Sequence, residues 1–382
     1  MNRVILMVFV IILILSILLA IAIYLPIPVT PYLDFQVLYR ANRAILNGIP
    51  LYDREAQTEW IAQVSGVSVD EVFVLPFPYP PWYAVSTLPL AFLPLHAAAR
   101  MWFLLNISML LLSVWLFTDG WHPRKRLISF LAALSFLPIL GALIVGQYVF
   151  PAILGMALII YSVKREHAGL LALGMALVTF KPHIGIFVLL AILLHLIQRR
   201  DAFGRRAFWW TSAAGVFLFL LGFTVDKMWL LNYFRSLSDF RNISECEICT
   251  SLPLVIGRIA GLGYDQSAPI AGAVLIVAIA LFIGSKHRLG SEASSAFFAC
   301  VPLLVNPYLL NYDFSFALVP LFYLSASAGS KLDWLWIASF ILLPWVGLLI
   351  FNRAGNPVLL FCTLAMTSII LTRKDKGHTI VS

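Results

Sequence analysis

Charged residues are scarce in this sequence: 12% of its 382 residues are Asp, Glu, Lys or Arg, while 61% are hydrophobic. A soluble domain needs more charged residues than this to keep its surface hydrated, so the composition predicts a polytopic membrane protein. The net charge of +8 does not indicate nucleic acid, because the basic residues cluster in short loops and at the C-terminus. We therefore expect membrane lipids as partners and no nucleic acid.

Motifs for nucleotide binding, zinc proteolysis and serine hydrolysis are also lacking. The sequence has no P-loop, no dinucleotide fingerprint, no H-E-x-x-H and no G-x-S-x-G, and its basic loops are too short for a nucleotide-binding domain. Use of ATP or a nucleotide sugar on the cytoplasmic side therefore has no support. Cysteine is scarce as well, with four residues. Cys246 and Cys249 form a C-x-x-C that fits either a local disulfide or chance spacing.

Long apolar runs dominate what is present. The first, residues 4–25, is long enough to cross the membrane and is predicted to be an uncleaved helix rather than a signal peptide. Further runs recur up to residue 371. With the basic loops in the cytoplasm, they predict an all-α fold of roughly 11–13 transmembrane helices with both termini inside. Segment 82–95 contains Pro89 and Pro94 and is either a re-entrant segment or a further span.

We expect residues 1–382 to form a single transmembrane domain in the inner (plasma) membrane, with two long loops on the outer face. The first loop, residues 27–81, is net negative and carries a predicted helix over residues 35–47. Polar residues recur there at helical spacing, so the helix is expected to lie along the membrane surface and to stop at Gly48. The second outer loop is predicted over residues 226–267.

Asp34 stands between the first apolar run and this amphipathic helix. An ionisable residue at membrane depth is a candidate functional residue. The alternative is that Asp34 only caps the helix, which aspartate does well, although Val37 provides no capping box.

Other polar residues on the predicted outer face are candidates for substrate binding, each with a simpler alternative. Lys181 can bind a phosphate through its positive charge, or it can simply extend its ammonium group from the end of a membrane helix to water. His183 can donate to the same phosphate or have no task at all. Asp313 can contact hydroxyl groups or cap a helix. The remaining candidates are Tyr312 beside it, Arg258, which can bind phosphate or a loop carboxylate, and Asp53, which can simply form a turn.

Four stretches together resemble glycosyltransferase family 87, the polyprenyl-phosphate-mannose-dependent mannosyltransferases of the GT-C fold. They cover most of the chain in order. These stretches are Asp34-Phe35 through Tyr39 with Ala44 to Asp53; Tyr79-Pro-Pro81 with Leu88 to Pro94 and Trp102 to Asn106; Gly146-Gln147 with Leu173 to Pro182; and Asn306-Pro307 to Asp313. The fourth stretch departs from the family pattern, which often has a Ser-Pro start and a histidine-bearing end.

The resemblance implies an inverting enzyme with a lipid-phosphate sugar donor and no metal or other cofactor. It implies that Asp34, in the first outer loop, deprotonates the acceptor hydroxyl. Transfer also needs groups that stabilise the departing phosphate, and Lys181 and Arg258 suit that task.

The sequence therefore predicts an integral-membrane glycosyltransferase. It would move a sugar, expected to be mannose, from a polyprenyl-phosphate donor to a glycan or glycolipid acceptor on the non-cytoplasmic face. Two alternatives stay open. One is a transporter or lipid-carrier flippase, which usually shows internal repeats and midplane charges that are not evident here. The other is a polymerase or ligase of lipid-linked glycans.

Overall fold

A computed structural model describes residues 33–243, 249–263, 266–285, 291–351 and 356–373. These residues form α-helices and short 3-10 helices, and none of them is in a strand. The predicted all-α class is therefore confirmed. The predicted first membrane helix, residues 4–25, lies outside the described residues, as does Cys246.

The helices follow one another with short connections, and we number them in chain order. They are α1 Leu33–Leu46, α2 Arg54–Ser65, α3 Pro81–Thr87, α4 Leu95–Phe117, α5 Pro123–Ser135, α6 Leu137–Val145, α7 Val149–Arg165, α8 Ala168–Val178, α9 Pro182–Gln198, α10 Ala202–Val225, α11 Trp229–Ile243, α12 Leu252–Ile259, α13 Ser267–Ser285, α14 Ser291–Val305, α15 Leu318–Ala326, α16 Lys331–Phe351 and α17 Pro357–Thr372, with 3-10 helices at Val69–Glu71, Leu88–Phe92 and Asn311–Ala317.

The chain divides into two compact units. The first takes its described residues from Met1–Leu110, Leu143–Gln147 and Phe217–Ser244. The second takes its described residues from Leu111–Ala142, Tyr148–Val216 and Glu245–Ser382.

In the first unit, α1 buries one face against α3 and the 3-10 helix Leu88–Phe92. Phe35, Leu38, Ala41 and Ala44 are all buried on this face, because residues three apart lie on the same side of a helix. The helix begins two residues earlier and ends one residue earlier than predicted. It stops at Gly48 as expected, where a positive φ of 71° favours glycine.

Two residues of α1 depart from a simple amphipathic pattern. Leu46 is apolar, but 39% of it is exposed. Asn42 is fully buried, and its amide donates to the Thr87 hydroxyl at 3.1 Å. This bond gives the buried amide nitrogen a hydrogen-bond partner.

In the second unit, α7 and α8 pack side by side along much of their length. Gly155 on α7 and Gly174 on α8 face each other, so that a Cβ built on Gly155 would lie 2.6 Å from the carbonyl oxygen of Gly174. Only glycine permits this approach, since a Cβ on either residue would overlap the other backbone. Small residues at helix crossings are typical of membrane proteins.

The described residues contain four helices that are long and apolar enough to cross a membrane: α4, α10, α13 and α16. The pair α5 and α6 adds a fifth if it is one span, bent by 59°. Several further predicted spans form apolar helices of 10–17 residues in the described part of the chain, among them α8, α9 and α17, and the predicted span 4–25 lies outside that part. The multi-pass class holds, and it rests on these four or five helices.

The segment 82–95, which the sequence left open, and the second predicted outer loop both have defined structures. Residues 82–92 lie in α3, a helix of seven residues, and in a 3-10 helix of five residues. Each is too short for a continuous span of about 20 residues, and α4 begins at Leu95. The predicted loop 226–267 contains two helices, α11 and α12. Cys249 in that loop is disulfide-bonded.

Candidate functional site

Asp34 lies in the first turn of α1, in the first unit. Helix α1 begins at Leu33, so Asp34 is inside the helix rather than its N-cap. A carboxylate in the first turn is stabilised by the positive end of the helix dipole. The side chain is half-buried, and its Oδ2 accepts a hydrogen bond of 2.7 Å from Nε2 of Gln147. A local capping role does not explain this contact with a residue so distant in sequence.

Gln147 is itself held in place by α4. Gly146, which follows α6, has a φ of 68° that favours glycine. Its carbonyl accepts a bond of 2.8 Å from Nε1 of Trp102, and the Gln147 carbonyl accepts one of 3.3 Å from the Asn106 amide. Trp102 also stacks on Phe35, next to Asp34, with ring centroids 6.2 Å apart. Three of the motifs that the sequence showed separately therefore meet around Asp34.

A second group of candidate residues lies in the second unit. Lys181 precedes α9, and Asp313 lies in the 3-10 helix Asn311–Ala317. The Lys181 ammonium forms a salt bridge with Oδ1 of Asp313, and each side chain is 2% exposed. The other carboxylate oxygen, Oδ2, accepts the backbone N–H of Leu310 at 2.9 Å. The charge of Lys181 is therefore compensated within the protein.

His183 and Tyr312 complete this group. Nε2 of His183 is 3.9 Å from Oδ1 of Asp313, and a third of the histidine side chain is exposed. The Lys181 ammonium lies 5.0 Å from the centre of the Tyr312 ring, which is within range of a cation–π interaction. Burial acts to raise the pKa of Asp313, but Lys181 and His183 outweigh it and hold that pKa below its usual range. Four of the predicted binding residues are thus in contact with one another.

Asp53 caps α2, because its carboxylate accepts the backbone N–H of Ala56 at 2.9 Å. It also lines an open cleft of about 700 Å³ in the first unit. The rest of the lining is polar except for one proline: Pro50, Tyr52, Arg54, Glu55, Asp226, Asn232, Arg235 and Asp239. Burial raises the pKa of Tyr52, and its hydroxyl donates to the carbonyl of Tyr79 at 2.8 Å.

Arg258 lies in the last turn of α12, in the second unit, with an exposed side chain. Its contact with a phosphate stays a prediction. Within the described ranges, no three His, Cys, Asp or Glu side chains are grouped in a way that could hold a metal ion.

Sequence reasoning selected Asp34, Lys181 and Asp313 but missed two relationships. It did not find that Gln147 binds Asp34, although the Gly146-Gln147 pair was noted as a motif. It also did not pair Lys181 with Asp313.

The helices and the buried ionisable groups define the class of this chain as an all-α polytopic membrane protein. The family model of glycosyltransferase family 87 matches residues 77–310, which is more than half of the chain, so the chain belongs to that family. The matched region contains Gln147, Lys181, His183 and Arg258, while Asp34, Asp53, Tyr312 and Asp313 lie outside it. No curated protein matches the chain. Family membership identifies the protein as a membrane glycosyltransferase.

Proposed function

We propose that this glycosyltransferase transfers mannose from a polyprenyl-phosphate donor to a glycan or glycolipid acceptor on the non-cytoplasmic face of the inner membrane. In this reaction the acceptor oxygen forms a bond to the anomeric carbon as the bond between that carbon and the phosphate oxygen breaks. The acceptor proton passes to a base, and the polyprenyl phosphate leaves. The configuration at the anomeric carbon inverts, and no metal takes part.

The observation that carries the proposal is the carboxylate of Asp34, held by Gln147 at 2.7 Å. A general base must be fixed within hydrogen-bond reach of the proton that it removes. A half-buried carboxylate in a first helical turn, bound to a buried amide, supports this role because the hydrogen bond holds the carboxylate in place. We assign Asp34 the role of deprotonating the acceptor hydroxyl.

The donor phosphate requires positively charged or hydrogen-bonding groups. We propose Lys181, His183 and Arg258 for this contact, with Tyr312 and Asp313 positioning the first two. Because Asp313 already balances the charge of Lys181, the partly exposed His183 is the group of this cluster best suited to meet a ligand.

The acceptor glycan requires hydrogen-bonding groups of both kinds around its hydroxyls. The cleft lined by Asp53 offers carboxylates, two guanidinium groups and an amide in a volume of about 700 Å³. We propose that Asp53 contacts the acceptor there in addition to capping α2.

The alternative functions are a transporter or flippase and a polymerase or ligase of lipid-linked glycans. Membership of a glycosyltransferase family favours sugar transfer over transport. A polymerase would take a longer lipid-linked glycan as its donor, so a comparison of donors separates it from the proposed function.

The test supplies membranes carrying the full chain with labelled mannose on one of three carriers and with a panel of glycan acceptors. The carriers are polyprenyl phosphate, a nucleoside diphosphate, and polyprenyl diphosphate bearing an oligosaccharide. We expect label in the acceptor only with polyprenyl-phosphate mannose. Transfer from either of the other two carriers alone would overturn the proposed donor, and transfer from none would favour a transporter.

A further inference from the structure

Gln147 is a buried residue whose side-chain amide donates a hydrogen bond to the proposed base. It is 2% exposed, and its Nε2 donates to Oδ2 of Asp34. We infer that Gln147 is a positioning residue, which fixes the plane of the Asp34 carboxylate and keeps it ionised to receive the acceptor proton. The inference rests on the proposed function of Asp34.

The chemistry of the two groups supports this role. An ionised carboxylate only accepts hydrogen bonds, and the amide NH₂ of glutamine only donates them. Their bond therefore favours the charged form of Asp34 over the neutral form. A glutamine side chain has no accessible ionised form, so it cannot compete with Asp34 for the proton. Glutamine is therefore better suited to support a base than aspartate, glutamate or histidine, each of which can itself take up a proton.

The backbone around Gln147 is suited to hold that amide still. Its carbonyl is bound by Asn106, which is fully buried, and the preceding carbonyl is bound by Trp102, which is 2% exposed. Both residues belong to α4, a helix of 23 residues. Fixed partners of this kind transmit the position of a rigid helix to a catalytic group.

A substitution at residue 147 leaves the identities of the other ionisable residues on the neighbouring elements the same. Helix α1 carries Tyr39, Arg40 and Arg43, and the elements packed against it carry Tyr83 on α3 and His96 and Arg100 on α4. A difference in pH dependence between variants at this position therefore reports the loss or change of the Gln147 contact.

Two substitutions test the inference through the pH profile of transfer. Gln147→Leu removes the donor, and we expect kcat to fall at least tenfold with little change in the KM for either substrate, because a bond to a charged group is lost. Gln147→Glu places a second carboxyl beside Asp34, and the pair then shares a proton. We expect the acidic limb of its profile to move up by at least one pH unit, with activity returning at higher pH.

Gln57 provides the matched control, since it is also a buried glutamine in the first unit. It is 5% exposed, and its amide donates to the carbonyl of Leu51 at 2.7 Å rather than to a carboxylate. Gln57→Leu and Gln57→Glu disturb a buried amide to a comparable degree. We expect neither to move the acidic limb. If the acidic limb lies at the same pH in the Gln147 variants as in the Gln57 variants, Gln147 has only a structural role and the inference is overturned.

A second measurement does not depend on transfer. Carbodiimides react with protonated carboxyl groups, so the pH at which Asp34 becomes modified, read by mass spectrometry, reports its ionisation. We expect modification of Asp34 to persist to a higher pH in both Gln147 variants than in the wild type. An identical pH dependence in all three proteins would overturn the inference. Full transfer by Asp34→Asn would instead refute the proposed function, while the modification result still measures the Gln147 contact.

Discussion

The pair formed by Lys181 and Asp313 places two opposite charges where water is almost excluded, each side chain being 2% exposed. Taking both charges out of water is costly, and their attraction offsets that cost only while both are present. The contact joins the start of α9 to the 3-10 helix Asn311–Ala317. It thereby fixes the segments that carry His183 and Tyr312.

Removal of either charge should therefore destabilise the protein more than removal of both. We expect Lys181→Met or Asp313→Leu to lower the free energy of unfolding by about 3–5 kcal/mol, because each leaves the remaining buried charge without its partner. The double variant Lys181→Met/Asp313→Leu should recover much of that loss. Unfolding of the detergent-solubilised protein measures all three differences as a double-mutant cycle.

Lys164→Met is the control for this cycle, because Lys164 is an exposed lysine in the last turn of α7. Its effect should stay within about 0.5 kcal/mol. Additive losses in the double variant would contradict the view that the two charges act as a pair.

At the residue scale, the sequence identified single side chains better than it identified their partners. Asp34, Lys181 and Asp313 stand out because an ionisable residue in an apolar chain is costly and therefore conspicuous. Gln147 carries no charge, so its contact with Asp34 leaves no comparable signal. Asp53 has a local role as the N-cap of α2, and its contact with a substrate stays a prediction.

At the scale of elements, the close contact between α7 and α8 in the second unit depends on two glycines, Gly155 and Gly174. We expect Gly155→Ala to lower the free energy of unfolding by about 1–3 kcal/mol, because the new methyl would meet the Gly174 carbonyl and the Val178 side chain at less than 3 Å. Thermal unfolding in detergent measures the change.

Gly169→Ala serves as the matched control on α8, because a Cβ at Gly169 meets nothing within 4 Å. The alanine should be neutral or slightly stabilising there, since alanine favours helix more than glycine does. Equal destabilisation by the two substitutions would show that helix propensity rather than close packing decides the effect.

The sequence predicted a helix well where the spacing of its apolar residues and a helix-ending residue such as glycine indicate the same end point. Helix α1 follows its amphipathic spacing and ends at Gly48. Apolar content predicted the lengths of the helices less well, because it does not reveal where a chain turns. Helix α8 is fully apolar in its sequence yet has only 11 residues. Helices buried among others can be shorter than a span while remaining just as apolar.

At the scale of the whole molecule, the distribution of charge predicts which loops face the cytoplasm. Glu59 is exposed on α2 in the predicted outer loop, and Arg200 is exposed between α9 and α10 in a predicted cytoplasmic loop. In intact cells, we expect a membrane-impermeant maleimide to label Glu59→Cys above the background of the parent protein. Arg200→Cys should be labelled only after the membrane is opened. Labelling of both positions, or of Arg200→Cys alone, in intact cells would contradict the predicted topology.

The central claim is that Asp34 is the base of the transfer reaction, and the rate of transfer by Asp34→Asn tests it most directly. Asparagine keeps the size of the side chain but cannot accept the proton, so kcat should fall by about 10²–10⁴-fold while the protein stays folded and in the membrane. Asp70→Asn makes the same chemical change at an exposed position in the same predicted loop and should retain activity within about twofold of the wild type. Transfer by Asp34→Asn at the rate of the Asp70→Asn control would contradict the claim.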